Sequence, residues 1–310
     1  MNAVRYRKFF YTLSAIMVGL AIFSISVWGF KFGLDFTGGS LLEITYTDSR
    51  PALPEVQSSL KNAGFENASV RETGEKGYIV RTKNLSDKDI FALENGLSLG
   101  GTKSFTRDRL TSIGPVIGQE LKQKAWIAIV FIILITVIYI AIAFRHVGDS
   151  LKTKSGKTIS SWHYGLMSIV ALVHDIAIPA GVFSVLGHFA GVEVDALFVT
   201  ALLALLGYSI NDTIVIFDRI RENLKKNADH SVREEFEFTV GKSLTQTYGR
   251  SINTSMTTLI VLLALLFLGG GATFYFILAL TVGVVAGAYS SIFLAAPLLV
   301  TVEKWYERKK

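Results

Sequence analysis

Long blocks of apolar residues, separated by shorter polar stretches, dominate the hydropathy pattern of the chain. A bilayer core about 30 Å thick is crossed by about 20 apolar residues in a helix. Six blocks approach or exceed that length: Phe9–Phe30, Ala125–Phe144, Leu166–Leu186, Ala196–Phe217, Ile252–Leu268 and Phe274–Val302. The pattern predicts an all-α membrane bundle of six helices. We interpret the first block as a retained anchor, because it exceeds the roughly 7 to 15 apolar residues of a secretion signal.

The polar segment 31–124, between the first two spans, alternates between strand-like and helix-like patterns. Strands are predicted at Leu41–Thr47, Ala68–Glu72, Tyr78–Thr82 and Lys103–Arg109, with helices over Leu53–Ala63 and after Ser86. Asp89, three residues after Ser86, gives the second helix a start like a capping box. The βαββαβ order predicts a small α+β domain of the ferredoxin-like type. Residues 110–124 are expected to connect it to the second span.

Composition excludes several classes of function. Half of the 310 residues are apolar and only 18% are charged, and the net charge of +6 is interpreted as a topology signal rather than as nucleic-acid binding. With no cysteine, the chain has no disulfide framework, and its five His residues show no metal-ligand spacing. The sequence contains neither the nucleotide-binding motif G-x-x-x-x-G-K-[ST] nor a G-x-G-x-x-G motif after a strand. We expect no cofactor and no metal, and any ATP hydrolysis is expected in a partner.

The distribution of Lys and Arg predicts the orientation in the membrane. These residues number 18 in the N-terminus and the segments 145–162, 219–250 and 303–310, whereas the turns 187–195 and 269–273 contain none. Short basic segments stay in the cytoplasm. Both termini, including the basic tail 303–310, are therefore expected in the cytoplasm, and the domain 31–124 on the outer side.

Two carboxylic acids lie inside predicted spans, where an Asp costs about 2.5 to 3.5 kcal/mol. Asp175 is near mid-depth of the third span, and Asp212 is near the cytoplasmic end of the fourth. A carboxyl that gains and loses a proton there suits a proton relay, but a structural hydrogen bond between helices is the alternative for both. Pro179 favours a kink that admits water near Asp175. His174 is interpreted as a packed or pore-facing polar residue.

Polar residues around Asp212 form a candidate supporting network. Tyr208 shares its helical face and Asn211 is adjacent, while Arg250 opens the fifth span. Further polar residues follow within that span: Asn253, Thr254 and Thr257. A pairing of Asp212 with Arg250 is geometrically possible, although an Arg at a cytoplasmic helix end is also an ordinary topology anchor.

A stripe of small residues marks the last span. Gly283 and Gly287 form a G-x-x-x-G motif that Ser291 and Ala295 extend at the same spacing. Such a stripe lets helices approach closely. Packing within the bundle and an interface with another subunit both remain open.

Several motifs together resemble the SecF family of protein-export membrane subunits. They are Gly33–Gly39 (GLDFTGG), Thr111–Leu121 (TSIGPVIGQEL), Val173–Asp175 (VHD), Gly207–Glu222 (GYSINDTIVIFDRIRE) and Asn253–Thr258 (NTSMTT). The resemblance implies a membrane architecture similar to half of a resistance-nodulation-division transporter, with SecD supplying the other half. The single outer domain also looks like SecF rather than SecD.

The resemblance further implies a function in the cell inner membrane. The SecD–SecF pair would assist the SecYEG channel and the SecA ATPase, using the proton-motive force to promote late steps of preprotein translocation. Family members use the Asp and the Arg that match Asp212 and Arg250 for the proton pathway, and Asp175 lies in a matching motif. The alternatives are a scaffold that stabilises the translocon without conducting, and half of a small-molecule or lipid exporter.

Overall fold

The computed structural model describes residues 2–83, 85–143, 161–230, 234–270 and 273–308. In chain order the elements are α1 (Asn2–Arg5), α2 (Arg7–Trp28), α3 (Leu34–Thr37), β1 (Gly39–Tyr46), α4 (Leu53–Asn62), β2 (Ser69–Thr73), β3 (Gly77–Thr82), α5 (Asp87–Leu97), β4 (Phe105–Ile113), α6 (Pro115–Ala143), α7 (Ser161–Phe189), α8 (Ala196–Asp229), α9 (Phe236–Leu268), α10 (Phe274–Ser290), a π-helical segment (Ser291–Ala295) and α11 (Ala296–Arg308). They form two compact units, residues 32–126 and the remainder of the chain.

Six helices are long and apolar enough to cross a membrane, which confirms the predicted number of spans. The first five are α2, α6, α7, α8 and α9, and the sixth combines α10, the π-helical segment and α11. Of the predicted basic segment 145–162, residues 145–160 lie outside the described residues, and so do residues 309–310 of the predicted tail.

Residues 219–229 and 236–250, which belong to the basic loop that the sequence predicted, are helical. Helix α8 continues to Asp229 and α9 begins at Phe236. Apolar side chains at helical spacing explain the extension, since Ile220, Val240 and Leu244 are fully or almost fully buried in one cluster. Burial of such a stripe stabilises a helix beyond the membrane, which hydropathy alone does not detect.

The first and third spans pack closely through small residues. A Cβ atom on Gly181 would lie 2.5 Å from both Cα and Cβ of Ala21. Ser24 donates a hydrogen bond to the Gly181 carbonyl at 3.2 Å, and Ser184 donates to the Ser24 carbonyl at 2.9 Å. These hydroxyls reach the backbone carbonyls of the neighbouring helix only because the two helices lie close together. Larger side chains at these positions would hold the helices apart.

The sixth span contains a π-helical turn that the sequence did not predict. Residues Ser291–Ala295 carry it, with α-helix on both sides. Such a turn inserts one residue into the helical repeat, so that side chains after it rotate relative to those before it. The four-residue spacing of the small residues therefore does not keep them on one straight stripe.

The unit 32–126 is a four-stranded antiparallel sheet with two helices. Its strand order is β2-β3-β1-β4, so β1 lies between its partners β3 and β4. The core joins alternate residues of the strands to α4 and α5, and its fully or almost fully buried members are Leu42, Ile44, Tyr46, Val56, Leu60, Val70, Tyr78, Val80, Leu93 and Leu97. Ser86 and Asp89 form the predicted capping box at the start of α5.

The expected connection 110–124 is instead ordered secondary structure. Strand β4 runs to Ile113, four residues beyond the predicted end, because the ladder continues as far as the Gly39–Ile113 pair. Helix α6 then begins at Pro115, ten residues before the predicted span. Proline suits a first helical position, where the backbone N–H has no partner within the helix.

The Gly38–Gly39 pair makes the turn into β1. Both residues have positive φ angles, +69° and +120°. A Cβ atom would lie 2.8 Å from Pro115 Cα at Gly38, and 2.6 Å from the Thr82 carbonyl oxygen at Gly39. Only glycine combines this backbone conformation with so close an approach.

Candidate functional site

Asp175 of α7 lies in a closed polar cluster inside the bundle. Its side chain is fully buried. The hydroxyls of Ser209 and Ser290 both donate to Oδ2, the second at 2.8 Å, and His174 Nδ1 lies 2.9 Å from Oδ1. Helices α7, α8 and α10 thus each supply part of the cluster. These donors satisfy the buried carboxyl group by hydrogen bonding, without a Lys or Arg.

His174 forms the side of this cluster that faces the Tyr289 ring. The two rings stack with centroids 5.8 Å apart, and His174 is 2% exposed. Tyr289 in turn donates its hydroxyl to the Phe10 carbonyl at 2.8 Å, which ties α10 to α2. The second imidazole nitrogen, Nε2, has no hydrogen-bond partner among the described residues.

Asp212 of α8 has fewer partners than Asp175. It is 8% exposed and accepts a hydrogen bond from the hydroxyl of Ser291, the first residue of the π-helical segment. Within the described part of the chain, Asp212 makes no ion pair with Arg250, the pairing that the sequence allowed. Arg250 is exposed instead.

The other predicted supporting residues divide into two groups. Tyr208 is half-buried and donates to the Ser255 hydroxyl at 3.2 Å, linking the fourth and fifth spans. The remaining four are exposed on this single chain: Asn211, Asn253, Thr254 and Thr257. The Thr257 hydroxyl bonds to the Asn253 carbonyl of its own helix, at 3.0 Å. We call Asn211, Arg250, Asn253, Thr254 and Thr257 the exposed polar face.

Gly283 and Gly287 both lie against the fourth span. A Cβ on Gly283 would meet the Leu205 side chain at 2.3 Å, and a Cβ on Gly287 would lie 3.2 Å from Ser209 Cβ and 3.6 Å from Asp175 Oδ2. Because Gly287 has no side chain, the Ser209 side chain has room to donate its hydrogen bond to the Asp175 carboxylate.

Sequence reasoning missed the serines that bind the two carboxylates. Ser209, Ser290 and Ser291 are all at most 1% exposed, and each donates to Asp175 or Asp212. The sequence analysis assigned Ser291 only to the small-residue stripe and did not single out the other two as partners of the acids. The signal that could have found all three is their position, as small hydroxyl residues in spans of a bundle that contains two acids.

Serine hydroxyls bind both carboxylates, Ser209 and Ser290 at Asp175 and Ser291 at Asp212. A hydroxyl can act as both a donor and an acceptor. Among the described residues there is no group of three or more His, Cys, Asp or Glu side chains that could hold a metal ion.

Comparison with known proteins identifies relatives along the whole chain. The family model for the protein export membrane protein SecD/SecF, C-terminal, matches residues 97–151 and 158–305, and the SecD/SecF GG motif matches residues 23–49. The protein translocase subunit SecF of Thermobaculum terrenum is 37% identical over 98% of this chain and 94% of its own length. The SecF subunit of Haemophilus influenzae is 36% identical over 96% and 85%.

Solved structures give the same result. The crystal structure of SecDF, a translocon-associated membrane protein from Thermus thermophilus, superposes with a TM-score of 0.79 at 32% identity and covers 98% of this chain. A super-membrane-facing form of SecDF gives a TM-score of 0.64 at 30% identity. The chain spans only 38% and 39% of those two chains. Matching motifs, full-length relatives and a shared fold show that the chain belongs to the SecD/SecF family, as a SecF-type protein translocase subunit.

Proposed function

We propose that this subunit, together with a SecD-type partner, uses the proton-motive force to promote preprotein translocation across the cell inner membrane. Its SecF relatives are named as translocase subunits, and SecDF is a translocon-associated protein of which this chain matches 38%. The part of the SecDF chain that this chain does not match is long enough to contain the second half of a transporter-like membrane architecture. The SecYEG channel, SecA and the translocating preprotein complete the proposed set of partners, and SecA hydrolyses ATP.

Asp212 carries the proton in this proposal. It is a buried acid whose described partner is one neutral hydroxyl, that of Ser291. A carboxylate at that depth is costly unless it is paired or neutralised by a proton. Asp212 therefore exchanges a proton when the environment of α8 and the π-helical segment changes.

Arg250 sets the charge balance from the exposed polar face. In this face, Asn211 adjoins Asp212 in sequence, and the other four residues lie near the start of the predicted fifth span. Exposing amide and hydroxyl groups to lipid tails is energetically costly. A partner's membrane helices would cover this face. The proposed SecD half does so, which brings Arg250 and Asp212 into one proton pathway at the interface.

Asp175 belongs to the same pathway as an inner carboxylate, linked to Asp212 through α8 and the sixth span. The unit 32–126 is extracytoplasmic and ferredoxin-like, which its βαββαβ order and strand order support. Both termini are cytoplasmic, since the short basic segments follow the positive-inside rule. Proton passage through the bundle is coupled to movement of the outer domain.

The test is preprotein translocation in inverted membrane vesicles that contain the partner subunits. Asp212→Asn removes the titratable proton at nearly constant size, and Asp229→Asn, the same change at an exposed position of α8, serves as a matched control. The proposal predicts that D212N assembles with its partner but loses the part of export that depends on the proton gradient. Undiminished gradient dependence in an assembled D212N complex contradicts it and favours a non-conducting scaffold.

The exporter alternative has its own readout. If the purified complex expels a lipid or a small molecule in a proton-dependent manner without the translocon, protein export is not its primary function. The proposal predicts no such efflux, and loss of gradient-dependent export in D212N.

A further inference from the structure

His174 carries a buried nitrogen that the function proposed above does not use. Its Nδ1 atom points at Asp175 Oδ1 at 2.9 Å, while Ser209 and Ser290 occupy Oδ2 as donors. With Asp175 ionised, Nδ1 carries the hydrogen of that bond. In a neutral imidazole the other nitrogen is then an acceptor with a free lone pair. That nitrogen, Nε2, is buried and has no hydrogen-bond partner among the described residues.

The charge around the cluster is unbalanced when His174 is neutral. Helices α2, α8, α10, the π-helical segment and α11 pack against α7. Over residues 7–28, 196–229 and 274–305, the titratable and charged groups on them are Arg7, Lys8, Tyr11, Tyr208, Asp212, Asp218, Arg219, Arg221, Glu222, Lys225, Lys226, Asp229, Tyr275, Tyr289, Glu303 and Lys304. Among the described residues, His174 is the sole basic side chain within ion-pair distance of Asp175.

We propose that His174 Nε2 is a second proton-binding atom of the bundle, and that the His174–Asp175 pair exchanges a proton in step with Asp212. A proton on Nε2 makes an imidazolium that balances the Asp175 carboxylate, while the Nδ1 hydrogen bond stays in place. Histidine is the side chain whose charge ordinarily changes between about pH 5 and 8. This inference rests on the proton-driven function proposed above and adds a site within it.

The two acids are mechanically linked through consecutive residues. Ser290 ends α10 and binds Asp175, and Ser291 begins the π-helical segment and binds Asp212. On α8, Ser209 binds Asp175 and precedes Asp212 by three residues. A shift of the π-helical turn that changes one hydroxyl contact therefore moves the donor of the other. A π-helical turn is a known site of functional rearrangement in helices.

The protonation state of His174 can be read directly by solid-state NMR. The complex with its partner subunit is placed in lipid bilayers with ¹³C-carbonyl valine and ¹³C,¹⁵N-labelled histidine. Val173–His174 is the sole Val-His pair in the sequence, so the labels single out this histidine without mutation. The proposal predicts that Nε2 changes from unprotonated to protonated as the pH falls from about 8.5 to 5, while Nδ1 keeps its hydrogen. An Nε2 signal that stays in one state over this range overturns it.

Variants test the link with Asp212. In D212N, the midpoint of the Nε2 protonation change should shift, because coupled exchange makes protonation at one site depend on the state of the other. His188→Asn, in the exposed part of the same helix where His188 stacks on Trp28, is the matched control and should leave the midpoint unchanged. An unchanged midpoint in D212N shows that the two sites are independent and refutes the coupling.

The outcome is separable from that of the export experiment. His174→Asn keeps a side-chain donor near the position of Nδ1 but has no atom that accepts a proton at Nε2. The inference predicts that H174N shifts the pH dependence of gradient-driven export, whereas H188N does not. If D212N loses gradient-driven export but Nε2 does not titrate, the site at His174 is refuted and the proposed function stands. If Nε2 titrates but D212N exports normally, the proposed function fails.

Discussion

The two membrane carboxylates occupy contrasting regions of one bundle. Asp175 is fully buried, and three side chains from α7, α8 and α10 bind it. Asp212 accepts a hydrogen bond from Ser291 and adjoins the exposed Asn211. We call the surroundings of Asp175 the closed region, and those of Asp212, with the exposed polar face, the open region.

The difference separates what the chain completes alone from what it leaves to a partner. In the closed region, glycines and serines bring helices together and satisfy the acid within the subunit. In the open region, polar side chains remain uncovered on spans four and five. Polar groups inside a membrane are ordinarily turned toward other helices or water. Under the proposed function, the open region is the part that a second subunit covers, and the closed region is complete without one.

Replacing the acid of the closed region should give the largest effect. Asp175→Leu leaves Ser209 and His174 as buried donors without this acceptor, and Ser290 with only the Gly287 carbonyl at 3.2 Å. We expect a loss of about 3 kcal/mol or more in unfolding free energy, or failure to fold. Denaturation of the detergent-solubilised subunit measures it. Asp212→Leu removes one hydrogen bond from Ser291, whose hydroxyl keeps the Ala288 carbonyl at 3.3 Å, and should cost about 1 kcal/mol. Equal losses in the two variants would contradict the distinction between the regions.

The contact between spans one and three should tolerate no added methyl group. Gly181→Ala would place Cβ 2.5 Å from the Ala21 backbone, so the helices must move apart. We expect a loss of about 2 kcal/mol in unfolding free energy. The matched control is Gly165→Ala in the same helix, where nothing lies within 4 Å and the change should be neutral or stabilising. A stable G181A variant would show that this packing is loose.

The open region should behave in the opposite way. Asn253→Leu is expected to change the unfolding free energy of the isolated subunit by less than about 0.5 kcal/mol. Its affinity for the SecD-type partner should fall about threefold to twentyfold, since polar contacts between membrane helices contribute about 0.6 to 1.7 kcal/mol. Quantitative co-purification measures the affinity.

A conservative apolar change provides the control on the same helix. Ile260 is also exposed, and Ile260→Leu should alter neither stability nor assembly. If N253L destabilises the isolated subunit as strongly as a change in the closed region, the exposed polar face is not an interface that awaits a partner.

The smallest effect is expected at the hydrogen bond between Tyr208 and Ser255, which joins the fourth and fifth spans. Tyr208→Phe removes the hydrogen bond to Ser255 and should lower the unfolding free energy by about 0.5 to 1 kcal/mol. Tyr248→Phe, at an exposed position on α9, is the control and should be neutral. Thermal unfolding in detergent distinguishes them. Identical behaviour of Y208F and Y248F would show that this bond does not join the fourth and fifth spans.

The sequence was informative where one physical signal dominates. Hydropathy predicted all six spans, and alternation predicted the four strands. It was wrong at the ends, because amphipathic stripes extend α8 and α9 beyond the apolar blocks. The end of β4 was also missed, since its pairing with β1 depends on partners distant in sequence.

The candidate site was predicted in its acids but not in their partners. Asp175 and Asp212 are conspicuous because a charge in a span is rare. Ser290 and Ser291 are not, because serine is common among small residues at helix contacts. Ser290 ends α10 and Ser291 begins the π-helical turn, and a regular helical spacing assumed from sequence cannot reveal that turn.

Proton flux through the assembled complex tests the role of Asp212 most directly. The subunit and its SecD-type partner are reconstituted into liposomes that contain a pH-sensitive dye, and a membrane potential is imposed. We predict proton entry with the wild-type subunit and none above background with D212N at equal complex content. Proton entry at the wild-type rate in D212N would contradict the assignment and place the proton path elsewhere in the bundle.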